Sequence, residues 1–167
     1  MPRSAALAAL AVVLAFATGC ASAGKKSALE SALDAGGFET RVDDRGVTVL
    51  VTDVLFDYDS DALTPDGAAS VGRIAEIVKR LATQNELICE GHTDSRGTEA
   101  YNFELSLRRA RRVGDALAAA GIDPARISSQ GLGESRPLAA ETTPEGKDSP
   151  EGRARNRRVE VVIANAE

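Results

Sequence analysis

The sequence predicts an α/β (α+β) sandwich of order β-α-β-α-β-β, with two helices packed on one face of a mixed sheet. Three observations carry this expectation. Val71, Ile74, Ile77, Val78 and Leu81 recur at three and four residues, and Glu99 to Ala120 forms a second helical stretch stopped by Gly121. Val47–Phe56, Leu87–His92, Arg126–Gly131 and Arg158–Ala164 read as strands, the last with Val159, Val161 and Ile163 on one face. Helical and strand-like runs alternate along the chain, with turn residues between them.

The chain has 167 residues, enough for one domain with flanking segments. Hydrophobic residues make up 43% and aromatics 4%, with no Trp, so Val, Leu, Ile and Ala must build the core. The net charge of −5 argues against bulk electrostatic binding to nucleic acid or to an anionic membrane surface. Binding to any anionic polymer must therefore come from a local site.

In chain order, Arg3 precedes an apolar run from Ala5 to Ala17, 13 residues long. A bilayer needs roughly 20, so the run reads as a secretory leader, not a membrane span. The leader ends in Ala17-Thr18-Gly19-Cys20, which resembles the lipobox of bacterial lipoproteins. That resemblance implies a signal peptide over 1–19 and a lipid (palmitate among its acyl chains) on Cys20. Ala21, standing where an Asp would imply inner-membrane retention, implies anchoring to outer-membrane lipid with the domain facing the periplasm. Residues 20–36 read as a lipidated tether with one helical stretch, closed by Gly36-Gly37, and 37–167 as the folded domain. Phe38 to Val42, the turn residues Asp43-Asp44-Arg45-Gly46 and the strand from Val47 form a hairpin signature. Thr64 and Pro65 suit the cap and first position of the first main helix. Cys89, inside a strand-like run, reads as an unpaired core residue. Residues 132–156, with Pro137, Pro144 and Pro150, read as a long polar loop.

Four motifs follow in order: Gly91-His92-Thr93-Asp94, Leu105-Ser106-Leu107-Arg108-Arg109-Ala110, Gly131-Leu132-Gly133-Glu134-Ser135-Arg136-Pro137 and Gly152-Arg153-Ala154-Arg155-Asn156-Arg157-Arg158. From about residue 47 to 165 the chain resembles the OmpA-like peptidoglycan-binding domain, and its lipoprotein arrangement is similar to the peptidoglycan-associated lipoproteins. The resemblance implies non-covalent binding to the diaminopimelate of peptidoglycan stem peptides, whose free end carries an ammonium and a carboxylate on one carbon. It also suggests Tol-system proteins as possible partners. Carried over by motif, Asp94 meets the ammonium and Arg109 the carboxylate, for which a planar guanidinium fork is suited. Thr93, Asn102, Phe56 and Asp57 are further pocket candidates, and Leu105 is a candidate apolar wall.

Helix geometry tests Arg109 independently. At about 100° per residue from Leu105, Val113, Leu117, Ala110 and Ala116 define an apolar face centred near 70°. On this construction Arg109 falls at about 40°, inside that face, whereas Arg111 and Arg108 point to water at about 240° and 300°. An inward Arg needs a partner: a ligand, or an internal salt bridge to Asp94. Arg153, Asn156 and Arg157 are expected to tie the long loop to the sheet.

Other chemistries fit less well. Asp57, Asp59 and Asp61 have the spacing of a calcium loop, but Ala62 and Ala68 occupy the positions that need Gly and Glu. A zinc site would need more ligands than one His (His92) and one spare Cys (Cys89) offer, and no metal site is expected. No cofactor is expected. A hydrolase built on His92, Asp94 and Ser95 lacks a nucleophile elbow. A periplasmic protein-contact scaffold remains the alternative to wall binding.

Overall fold

The computed structural model describes residues 26–52, 55–56 and 60–165. The expected leader over 1–19, the lipidation site Cys20 and Asp57 lie outside the described residues. The elements are α1 (Ala28–Ala35), β1 (Thr40–Asp43), β2 (Gly46–Thr52), α2 (Pro65–Leu81), β3 (Leu87–His92), α3 (Glu99–Ala119), β4 (Ile127–Gly131), α4 (Pro150–Asn156) and β5 (Arg158–Ala164). The strands form one sheet in the order β1-β2-β5-β3-β4. Only β3 and β4 pair in parallel, and α3 supplies the crossover between them.

The β1–β2 hairpin turns through Asp44 and Arg45, with Asp43 paired to Gly46. β5 then inserts between β2 and β3, so the C-terminal strand holds the middle of the sheet. Strand alternation sends Val49, Val51, Cys89, Val159 and Val161 toward the helices, where they pack with Val71, Ile74 and Val78 of α2 and Ala110, Val113 and Leu117 of α3. Thr64 caps α2 by accepting from Gly67 N, and Thr98 caps α3 by accepting from Tyr101 N. Gly121, with φ +94°, follows the end of α3 as expected.

Three features depart from the sequence reading. α1 lies inside the stretch read as tether, and its Leu33 is fully buried in the core, so ordered structure starts well before residue 37. β2 ends at Thr52, and Phe56 forms an isolated bridge with Leu63. Leu55 O accepts from Thr64 N at 3.0 Å, which turns this segment onto the start of α2. Within the proline-bearing segment, Pro150 opens α4 instead of breaking structure, because Ser149 caps it and a first-turn proline gives up no helical hydrogen bond. Asn156, fully buried, accepts from Leu138 N and Ala139 N at 2.8 and 2.9 Å and donates to Ala139 O and Glu141.

The other sheet face is polar, and its charged groups pair with one another. Glu160 accepts from Arg158 at 2.7 Å and Arg41 at 2.5 Å, and Glu90 accepts from Arg45 at 2.9 Å and Gln130 at 2.8 Å. His92 is 1% exposed among them. Burial, reinforced by the Arg158 charge, lowers its pKa to about 4. The unfolded chain takes up this proton near 6.5, so the stabilisation from neutral His92 is complete above 6.5 and is lost as pH falls toward 4. The expected loss is about 3 kcal/mol. Denaturant titrations of metal-free protein between pH 7 and 4 should show it. His92→Gln should flatten the profile, and an unchanged slope would disprove the assignment.

Candidate functional site

The site sits at the carboxyl end of β3, where three loops converge on the first half of α3. Thr93 and Asp94 leave the strand, and Thr93 N donates to Gly133 O at 2.9 Å, which fixes them against the 132–135 loop. Both residues are buried. The hydroxyl Oγ1 of Thr93 has no hydrogen-bond partner.

α3 approaches this end of the sheet closely because two strand positions lack a side chain. A Cβ on Gly91 would lie 1.9 Å from Ser106 O, and one on Gly131 would lie 2.6 Å from Phe103 O. The close contact brings in the polar side chains of α3. Asn102, buried in the first turn, donates from Nδ2 to Asp94 O at 3.3 Å and to Glu134 at 2.5 Å. Ser106 Oγ donates to Phe103 O and accepts from Gly133 N at 3.0 Å.

Arg109 is 6% exposed, whereas Arg108 and Arg111 face water, as the helical wheel predicts. Its Nε donates to Ser60 O at 3.2 Å, and its guanidinium lies 5.1 Å from the Phe56 ring centroid. Phe56 is thus a floor beneath the arginine. Leu105 is half-buried one turn earlier.

The structure decides against the internal Asp94–Arg109 salt bridge. No contact within 4.0 Å joins the two groups among the described residues. Asp94 Oδ2 instead accepts from Arg157 at 3.0 Å, with Arg153 Nε at 4.0 Å, and Oδ1 accepts from Arg96 N at 3.2 Å. A carboxylate offers about four lone-pair sites, so these donors leave acceptor capacity for a further cation. Asp94 is 7% exposed.

Arg153 and Arg157, expected from the sequence to tie the long loop to the sheet, lie at Asp94, and Ser60 and Glu134, which the sequence did not single out, bond to Arg109 and Asn102. The basic run 153–158 was visible, but a seven-residue helix end decides which guanidinium turns toward Asp94. In the structure Arg158 turns instead to Glu160 and Arg155 to Glu39. The hydrolase arrangement is not assembled. Ser95 Oγ donates to Glu141 at 2.5 Å, and His92 Nε2 lies 3.9 Å from Glu160 on the polar sheet face.

Residues 55–151 match the OmpA family. The chain is 42% identical over 118 residues to outer membrane protein A of Bordetella avium, covering 71% of this chain and 57% of that protein. It thus spans little more than half of that relative. It is 34% identical over 163 residues to the peptidoglycan-associated lipoprotein of Pseudomonas putida, covering 92% of this chain and 93% of that one. Among solved structures, the cell wall anchor of the type VI secretion system of Pseudomonas aeruginosa superposes with a TM-score of 0.66 at 28% identity, covering 82% of this chain and 94% of that chain. The motifs and these matches agree: the chain belongs to the OmpA family, with a peptidoglycan-associated lipoprotein similar to it along nearly its whole length.

Proposed function

We propose that this chain is an outer-membrane lipoprotein whose folded domain binds the diaminopimelate of peptidoglycan stem peptides, tethering the outer membrane to the cell wall. One observation carries the reading. An acid and an arginine, Asp94 and Arg109, are both buried at one end of the sheet without pairing to each other. A zwitterion could place its ammonium on Asp94 and its carboxylate on Arg109, whose fork has donors beyond the Nε bonded to Ser60 O, with Asn102 and Thr93 as flanking polar groups and Phe56 beneath. Thr93 Oγ1, buried without a partner, is the kind of group a bound ligand satisfies. The names of the relatives support a cell-wall partner in general: the Pseudomonas putida relative is a peptidoglycan-associated lipoprotein, and the solved structure is a cell wall anchor.

The second attachment is Cys20. Each buried CH₂ of an acyl chain contributes ~0.8 kcal/mol, so several chains make anchoring effectively permanent. Many weak wall contacts per cell then act together as avidity. The domain binds and does not catalyse in this reading.

A second reading, contact with Tol-type proteins, has one observation in its favour. Tyr101 and Phe103 are about half exposed on α3 beside the site, and large exposed aromatics suit protein contact.

Co-sedimentation with purified diaminopimelate-type peptidoglycan tests the first reading. The protein is expected to pellet with the wall and to be released by free meso-diaminopimelate. Folded protein that stays in solution would refute wall binding and leave protein contact as the account.

A further inference from the structure

The polar sheet face holds a second cluster that wall binding does not use. Glu90 and His92 lie two residues apart on β3, and Glu160 is the cross-strand partner of Glu90 on β5. Strand alternation turns all three away from α2 and α3, and all are buried. One ligand atom from each lies within 4.8 Å of the others. His92 adds an independent observation: neither ring nitrogen has a hydrogen-bond partner, and its Nε2 is turned toward Glu160 at 3.9 Å. Buried imidazoles are ordinarily fixed by a hydrogen bond on at least one nitrogen. A metal is a natural partner for such a nitrogen.

We propose that Glu90, His92 and Glu160 form a binding site for a divalent transition metal of the zinc type. An imidazole with two carboxylates suits Zn²⁺ better than Ca²⁺ or Mg²⁺, which take oxygen ligands. Nitrogen and oxygen ligands about 2.0–2.2 Å from zinc stand roughly 3.4 Å apart in a tetrahedron, so side-chain adjustments of about 1 Å close the site. Water takes the fourth position.

The carboxylates are already neutralised by arginines, and this decides how metal would enter. Arg158 is almost wholly buried and stays on Glu160. Arg41 and Arg45, on the β1–β2 hairpin, have side chains 43% and 39% exposed, and both can swing into water. They border a cleft of about 380 Å³ that leads to the three ligands. One dication replacing two guanidinium groups leaves the charge of the cluster unchanged. Arg41 and Arg45 therefore act as stand-in cations in the metal-free protein, and they compete with metal.

The two carboxylates lie 70 residues apart and meet through the β3–β5 register.

Zinc titration of the full chain by calorimetry is the test, with His92→Gln and Arg45→Ala as variants and circular dichroism to confirm folding. Wild type is expected to bind one zinc whose X-ray absorption spectrum shows one imidazole nitrogen among oxygens. His92→Gln should weaken binding by more than the ~10–100-fold that loss of an outer-shell partner costs. Arg45→Ala should tighten it, on the order of tenfold, by removing a competitor. No zinc uptake by wild type, equal uptake by folded His92→Gln, or no tightening in Arg45→Ala overturns the proposal. Should His92→Gln fail to fold, the Arg45→Ala titration and the wild-type absorption spectrum decide it alone. None of these outcomes depends on wall binding.

Discussion

Arg109→Ala is expected to abolish pelleting with diaminopimelate-type peptidoglycan while leaving a folded domain. The guanidinium is buried, held by Ser60 O and stacked on Phe56, so its direction is set before any ligand arrives. Truncating one partner of a buried, hydrogen-bonded charge pair costs about 2–5 kcal/mol of binding. At tenfold per 1.4 kcal/mol, affinity falls on the order of 30-fold or more. Arg109→Lys separates charge from shape: it keeps the cation but loses the fork, and should bind between wild type and Arg109→Ala. The substitution also removes the Ser60 and Phe56 contacts, so denaturant stability must be measured on the same samples. A folded Arg109→Ala protein that pellets like wild type would take Arg109 out of the site. Asp94→Asn gives a complementary result. It removes the anion, and with it one charged contact each of Arg157 and Arg153, so it should cost stability as well as binding.

Gly91→Ala should be among the most damaging single-methyl changes in the chain. The new Cβ would fall 1.9 Å from Ser106 O and 2.6 Å from Ser106 C, both backbone atoms, so no rotamer change relieves the clash. α3 would have to lift from β3. Overpacking typically costs 1–3 kcal/mol and occasionally more, and a backbone clash of this depth belongs at about 3 kcal/mol or above. In a domain of this size that is roughly a 10 °C fall in Tm. Wall binding should fall with it, because α3 carries both Asn102 and Arg109. Gly72→Ala is the matched control: a Cβ at that position in α2 meets nothing within 4 Å. It should stabilise by up to about 1 kcal/mol through helix propensity. Thermal melts of the two proteins check both signs. A Gly91→Ala protein as stable as wild type would show that the close contact is not required.

Most of the architecture was legible because local signals agreed with the global fold. Strand runs of period two, two amphipathic helices, the Thr64 cap and the Gly121 stop each needed only a few neighbouring residues. The wheel singled out Arg109 among Arg108, Arg109, Arg111 and Arg112 because burial follows the 3.6-residue period of one helix. α1 was read as part of a tether because a small, weakly apolar helix gives little sign of packing, yet Leu33 fills the core. α4 was hidden by the same prolines that announce a loop.

What the sequence by itself determined is therefore whatever one element dictates: the order of the main strands and of α2 and α3, the caps of those two helices, and which face of α3 turns inward. Only the tertiary structure decided which charges meet. Arg157 reaches Asp94 across 63 residues, and Glu90 lies beside Glu160 because β5 inserts between β2 and β3. The physical reason is range. Backbone periodicity acts over a few residues, whereas an ion pair depends on a few ångströms between elements, and those are set by strand register and by how closely α3 can settle on Gly91 and Gly131.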